Sequence, residues 1–152
     1  MFGSHYKEML KTSWYYGRGN RGKMVVSYLM FIMANLVEMA EPIVLALLIN
    51  TVQENPPDLL EKSLMYLLLL AGLSFLFWVF HGNARVIERI FSFHTVKNFQ
   101  ERMFKMLSRL PIKWHKDHHS GDIMSRVRKA HDGLEEFTDN GFMYIGTIEK
   151  FV

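Results

Sequence analysis

Three histidines and an aspartate lie within five residues in the segment His115-Lys116-Asp117-His118-His119. Imidazole and carboxylate groups are common zinc ligands, and His115 and His119 are spaced so that one face of a helix would carry both. Ser120 and Gly121 follow directly, however, and these residue types end helices rather than continue them. We therefore expect an exposed polar segment here, and we predict no metal site.

Nucleotide-binding motifs are the second kind of chemistry to consider. The run Gly17-Arg18-Gly19-Asn20-Arg21-Gly22 matches Gly-x-Gly-x-x-Gly, but this fingerprint requires a preceding strand, and here it leads into a long apolar segment. We interpret it as a basic joint at the membrane surface. The 152 residues contain no Gly-x-x-x-x-Gly-Lys-Ser/Thr motif and no cysteine. They predict neither a catalytic residue nor a bound cofactor.

Two carboxylates, Glu38 and Glu41, interrupt an otherwise apolar stretch and lie three residues apart, on one face of a helix. Ionisable groups at membrane depth usually face a bundle interior or a water-filled cavity. One interpretation is a functional polar patch that lines such a cavity and would receive a cationic group. The other is that both lie near the outer end of the helix in water, since Glu41 is about 27 Å along the helix from Lys23.

Two apolar segments must position these residues. A bilayer core of ~30 Å requires about 20 apolar helical residues. The segment from Ser63 to Ala84 meets this requirement with 22 residues and no Asp, Glu, Lys or Arg. The segment from Met24 to Val52 is long enough as well. We therefore predict two transmembrane helices.

Lysine and arginine positions predict the orientation of these helices, because cytoplasmic flanks are enriched in both residue types. The connector from Gln53 to Lys62 has three acidic residues and one lysine. Basic residues precede the first span at Lys7, Lys11, Arg18, Arg21 and Lys23, and eight more follow the second span between Arg85 and Lys116. We expect both ends to be cytoplasmic in a cytoplasmic (inner) or plasma membrane. This topology accounts for the net charge of +3, so we predict no nucleic-acid binding.

The second span continues beyond the membrane. Apolar residues recur every three or four positions from Val86 to Leu110, which predicts a helix, and Pro111 ends it. A second amphipathic helix begins near Gly121 and would return toward the bilayer, so residues 85–140 form a cytoplasmic hairpin. We expect the sequence to stop within a third span and therefore to be partial. The predicted segments are 1–22 (cytoplasmic or interfacial segment), 23–52 (first transmembrane helix), 53–61 (outer loop), 62–110 (second transmembrane helix with its extension), 111–120 (tip of the hairpin) and 121–152 (ascending helix and start of a third span).

The tip of this hairpin carries a motif. Leu110-Pro111-Ile112-Lys113-Trp114-His115 is followed by Ser120-Gly121-Asp122-Ile123-Met124-Ser125-Arg126-Val127. It resembles the first intracellular loop of ABC exporters, which typically shows Leu-Pro, an aromatic residue, and then Ser/Thr-Gly-Asp/Glu, two apolar residues and Ser-Arg. The resemblance covers nearly the whole chain.

The resemblance implies an all-α integral membrane fold, with long helices extending into the cytoplasm as a hairpin. It also implies an elbow within 1–22 and a short coupling helix with its loop at the hairpin tip, 111–120. It implies contact with a nucleotide-binding domain at Ile112, Lys113, Trp114, His115, Lys116 and Asp117. The loop motif residues are Ser120, Gly121, Asp122, Ser125 and Arg126, and Asp122 is expected at a helix N-terminus, where it satisfies free backbone N–H groups.

We therefore expect part of the membrane domain of an ATP-driven exporter, which couples the motion of a nucleotide-binding domain to substrate translocation. The implied partners are that domain, a second transporter half, the lipid bilayer and an unidentified substrate. ATP and Mg²⁺ would be bound by the nucleotide-binding domain, outside these residues. One alternative is a self-contained two-span signalling or scaffold protein whose hairpin dimerises. Another is a small soluble helical protein, which the uncharged span disfavours.

Overall fold

The computed structural model describes residues 2–111 and 120–149, with side chains for 5–111 and 121–140. The described residues form helices α1 (Phe2–Tyr16), α2 (Arg21–Glu54), α3 (Leu59–Ser108) and α4 (Ser120–Glu149), and none of them lies in a strand. The prediction of an all-α fold with two long apolar helices is therefore confirmed. The predicted coupling helix falls outside the described residues for nearly all of its length.

Helices α2 and α3 are both long and apolar enough to cross a membrane, judged by length and composition. In the most apolar 18-residue stretch of α3 no residue is buried, and in that of α2 only 11% are buried. The core helix of a soluble protein would instead be mostly buried. The exposed side chains are large, as at Leu68, Phe75 and Trp78, where about 70% of the surface is accessible. Such faces require lipid or further helices around them.

The connection between α2 and α3 is four residues long and begins at Asn55, whose φ of 47° lies in the left-handed region. Asparagine tolerates this conformation better than most residues and commonly follows the end of a helix. At the start of α3, Lys62 Nζ lies 2.9 Å from Asp58 Oδ2. The hydrogen bond from Lys62 lowers the pKa of the Asp58 carboxyl below its ordinary value.

The chain divides into two compact units. The first comprises Met1–Val25 and Ile87–Val152. Its core is formed by Val96, Phe99 and Leu134, with Tyr16 and Met103 packed against them. Helices α1, α3 and α4 each contribute to this core, so three segments distant in sequence are held together by apolar burial.

The second unit, Val26–Val86, contains most of α2 and the first part of α3. Phe31 and Ala34 are fully buried on α2 and Ala84 is fully buried on α3. The ring of His81 stacks on Phe77 with centroids 5.1 Å apart, and it meets Phe31 edge-on at 5.3 Å. The ring of His81 on α3 therefore packs against α2 through Phe31.

Candidate functional site

The end of α1 is fixed by two side chains. The last carbonyl groups of a helix have no partner within it and must find one elsewhere. The carbonyl oxygen of Tyr16 accepts a hydrogen bond from Asn98 Nδ2 of α3 at 2.7 Å. That of Trp14 accepts one from Arg21 Nε at 2.9 Å. The C-terminus of α1 is thereby attached to α3 and to the start of α2.

Aromatic contacts extend this attachment along α1. The ring of Tyr16 meets Phe99 of α3 edge-on with centroids 5.3 Å apart, and the ring of Tyr6 meets Phe137 of α4 in the same way at 5.4 Å. Edge-on pairs of this kind stabilise by about 0.5–1.5 kcal/mol beyond their area. Burial raises the pKa of the Tyr6 hydroxyl, because the phenolate would lose hydration there.

Helix α1 also approaches α3 closely at Gly17, immediately after its last residue. A Cβ atom at this position would lie 2.7 Å from Phe91 Cζ and 2.8 Å from the carbonyl oxygen of Ser13. Real Cβ atoms essentially never make such short contacts. The absence of a side chain at Gly17 therefore permits the ring of Phe91 to pack against the turn.

A buried hydroxyl pair joins α3 to α4. Ser92 Oγ and Thr138 Oγ1 are 2.7 Å apart, and both residues are buried. The Thr138 hydroxyl donates to the carbonyl of Leu134 at 2.8 Å, which leaves its oxygen to accept the Ser92 proton. The Thr138 hydroxyl bonds within its own helix, whereas the Ser92 hydroxyl reaches this acceptor only when α4 is in this register, so the pair favours this packing of α4 against α3.

We expect Thr138→Val to lower the free energy of unfolding by about 1–3 kcal/mol, because the Ser92 hydroxyl stays buried and loses its acceptor. Adding Ser92→Ala removes the hydroxyl that has lost its acceptor. The double variant should therefore lose less free energy of unfolding than the two single variants lose in sum. Denaturant unfolding followed by helical circular dichroism measures these values, with Ser125→Ala as the exposed-hydroxyl control. Additive losses would contradict the pairing.

The loop motif residues lie at the start of α4. Ser120 is its first residue, and Gly121 and Ser125 are exposed. Asp122 is in the first turn, where a carboxylate is favourable next to the free N–H groups, and its Oδ2 lies 3.0 Å from Arg126 Nη2. Both side chains of the ion pair are exposed, so the pair adds only a few tenths of a kcal/mol to the first turn.

The predicted coupling-helix contacts, Ile112 to Asp117, lie outside the described residues, as do His118 and His119. A different group with metal-ligand chemistry occurs on α4, where His131 Nδ1 is 3.0 Å from Asp132 Oδ1 and 3.9 Å from Glu135 Oε2. These residues are neighbours at positions i, i+1 and i+4 of one helix, which brings such groups together without an ion. We assign no metal to them.

The two carboxylates of α2 have different surroundings. Glu41 Oε1 accepts a hydrogen bond from Ser74 Oγ of α3 at 2.9 Å, so this carboxylate is turned toward the second apolar helix. Glu38 is exposed. Helix α2 continues through Pro42, although the proline ring cannot donate to the carbonyl of Glu38.

Several residues that tie the helices together are not predicted from the sequence. Asn98, Arg102 and Thr138 occupy ordinary positions within amphipathic helices, and their partners are between 46 and 87 residues away. Local periodicity carries no signal for such pairs. Gly17 differs from them, because a glycine directly after a helix is a recognised stop signal in a sequence. That signal indicates the end of the helix but not the contact with Phe91.

The family model described as ABC transporter transmembrane region matches residues 24–147. No curated protein and no solved structure matches the chain.

Proposed function

This chain belongs to the family of ABC transporter transmembrane regions, and we propose that it couples the motion of a nucleotide-binding domain to substrate passage across the membrane. Family membership together with the two apolar helices makes it an integral membrane protein. It also implies association with nucleotide-binding domains. The two-span scaffold and the soluble helical protein do not account for a family match over residues 24–147.

The observation that carries the proposal is the length and continuity of α3. This helix runs for 50 residues from Leu59 to Ser108, and its apolar stretch and its contacts with α4 belong to one uninterrupted element. Beyond the first turn, the backbone N–H groups of such a helix bond to the carbonyl four residues earlier, which makes the element stiff along its axis. A displacement applied near Ser108 would then be transmitted along the helix rather than absorbed by a loop.

The packing of α4 against α3 supports the same role. Leu134 is 2% exposed between Val96 and Phe99, and the Ser92–Thr138 hydroxyl pair is buried beside them. Closely packed interiors resist sliding and transmit strain. In our proposal the α3–α4 pair therefore moves as one body, pushed at the segment Ile112–Asp117 by a nucleotide-binding domain that binds ATP and Mg²⁺.

The lysine and arginine distribution supports placing the N-terminus and the 85–140 hairpin in the cytoplasm, and a second transporter half would complete the membrane domain. The polar residues of α2 that we propose to line the substrate path are Glu38 and Glu41. The hydrogen bond from Ser74 supports this assignment for Glu41, since it turns the carboxylate toward the neighbouring apolar helix α3. A substrate carrying a cationic group matches this charge.

A crosslink tests the coupling assignment. The chain has no native cysteine, so Trp114→Cys introduces a single thiol into the predicted coupling helix. We expect it to crosslink to a cysteine placed on the membrane-facing groove of the nucleotide-binding domain, in the assembled transporter. Phe93→Cys is the matched control, because this side chain is 66% exposed but lies 21 residues earlier along the chain. An assembled, active transporter without a Trp114→Cys crosslink would refute the assignment.

A further inference from the structure

Two arginines distant in sequence place their guanidinium groups against one ring. The Cζ atom of Arg18 is 4.8 Å from the centroid of the Tyr15 ring, and that of Arg102 is 5.0 Å from the same centroid. Arg102 Nη1 also contacts the Tyr15 hydroxyl. Arg18 follows α1 directly, whereas Arg102 belongs to α3. The ring of Tyr15 therefore gathers two cations from separate segments.

These two cations have no counter-charge among the side chains that the structure describes. No carboxylate within 5–111 or 121–140 forms a salt bridge with Arg18 or Arg102. Glu101, the neighbour of Arg102, lies 3.9 Å from Lys97 instead. Cation–π contact engages the face of a guanidinium, and the Tyr15 hydroxyl contacts one edge group of Arg102, which leaves further N–H groups to bind an anion. Two unbalanced guanidinium groups at one ring favour an anion with several acceptor oxygens, and a phosphate group has this chemistry.

The position along the chain identifies the source of the phosphate. Arg18 precedes the uncharged stretch that begins at Met24 by six residues, and Trp14 exposes 42% of its surface on the same helix as Tyr15. Tryptophan and arginine next to the start of a membrane helix are typical of headgroup depth. An open cavity of about 690 Å³ adjoins Arg102, with Lys105 and Arg109 among its lining residues, which leaves room for a headgroup.

We infer that Arg18 and Arg102, held by the ring of Tyr15, form a binding site for the phosphate of an anionic phospholipid headgroup. Such a lipid would bridge α1 and α3 and stabilise the attachment that Asn98 makes to Tyr16. The inference rests on the membrane location of the chain and not on the proposed coupling role. A transporter that couples normally could therefore lack this site, and a transporter that has this site could fail to couple.

Photolabelling of the intact transporter in detergent tests the site. The probe is phosphatidylglycerol with a photoreactive headgroup, at subsaturating concentration, and the labelled residues are mapped by peptide mass spectrometry. We expect labelling between Trp14 and Arg21. Unlabelled phosphatidylglycerol should compete for the site, whereas phosphatidylcholine should compete weakly, and inorganic phosphate in excess should not compete.

Variants distinguish a specific phosphate site from the general attraction of basic residues for anionic lipid. Arg18→Gln/Arg102→Gln should reduce the labelling by about fivefold for each arginine, equivalent to ~1 kcal/mol per basic residue. Lys11→Gln/Arg128→Gln removes the same charge at exposed positions and should leave labelling within about twofold. Arg18→Lys/Arg102→Lys keeps the charge without the planar fork and should give intermediate labelling.

Four results would overturn the inference. The first three are unchanged labelling in the Arg18→Gln/Arg102→Gln variant, an equal loss in the control variant, and competition by inorganic phosphate, which would indicate a site for soluble phosphate. Equal competition by phosphatidylcholine would show that the lipid's net charge is not recognised and would also contradict it. Thermal unfolding of each variant checks that loss of label does not reflect loss of fold.

Discussion

The Lys97→Pro variant is expected to abolish substrate transport while leaving basal ATP hydrolysis by the nucleotide-binding domain. Proline at position 97 removes the N–H that bonds to the carbonyl of Phe93, and its ring collides with that carbonyl, at a cost of about 3 kcal/mol or more. Lys97 is exposed, so the substitution acts on the backbone of α3 rather than on its packing. A kink there would absorb the displacement that we propose α3 transmits.

The measurement compares transport in proteoliposomes with ATP hydrolysis by the same preparation. Lys97→Ala is the matched control, because it removes the same side chain and its 3.9 Å ion pair with Glu101 but keeps the N–H group. We expect this control to behave like the wild type, since exposed ion pairs contribute little.

A graded variant guards against failure to fold. Lys97→Gly keeps the N–H group and costs about 1 kcal/mol relative to alanine in a helix interior. It should lower the ratio of transport to ATP hydrolysis less than Lys97→Pro does. If Lys97→Pro assembled and transported as well as Lys97→Ala, the role of α3 as a stiff transmitting element would be refuted.

The second large effect is expected at Gly17. Gly17→Val should detach α1 from α3, because its Cβ would lie within 3 Å of both the Phe91 ring and the carbonyl oxygen of Ser13. The ring of Phe91 is 3% exposed and cannot move away without disturbing its neighbours. Overpacking of this kind typically costs 1–3 kcal/mol, and here the backbone contact prevents simple relaxation.

Limited trypsin digestion measures the detachment. Arg18, Arg21 and Lys23 surround the turn, so cleavage there should become at least severalfold faster in Gly17→Val. Gly22→Ala is the matched control, because a Cβ at that position meets nothing within 4 Å and the residue lies in α2. Alanine also favours the helix there. Equal cleavage rates in Gly17→Val and Gly22→Ala would show that α1 does not depend on the close approach at Gly17.

The ends of α3 show how closely sequence patterns predict the bounds of a helix. The sequence predicts a helix over 62–110, and the described helix α3 runs from Leu59 to Ser108. Its earlier start reflects the turn in which the N–H of Leu59 bonds to the carbonyl of Pro56, because such a turn has no counterpart in the pattern of apolar residues. Its earlier end reflects Pro111, because the residue before a proline disfavours helical φ and ψ.

The resemblance at the hairpin tip is confirmed at the level of the family, since the match covers residues 24–147 and includes the whole motif. The individual roles of Ser120, Gly121, Asp122, Ser125 and Arg126 stay predictions, as do the contacts of Ile112–Asp117. For Asp122 the structure adds the ion pair with Arg126 in the first turn of α4. The assignment of Glu38 and Glu41 to a substrate path likewise stays a proposal.

The basic, aromatic segment around Tyr15 shows most clearly which features follow from the sequence and which follow from the tertiary structure. By itself the sequence determined that two long apolar helices exist, that basic residues flank them and that a family motif follows Pro111. These properties depend on composition and on periodicity over a few turns. Only the tertiary structure decided that Arg18 and Arg102 share one ring, that Gly17 admits Phe91 and that Ser92 pairs with Thr138. Periodicity indicates which face of a helix is apolar, but the partner of a given side chain on that face depends on helix register and crossing, which are settled when the helices pack.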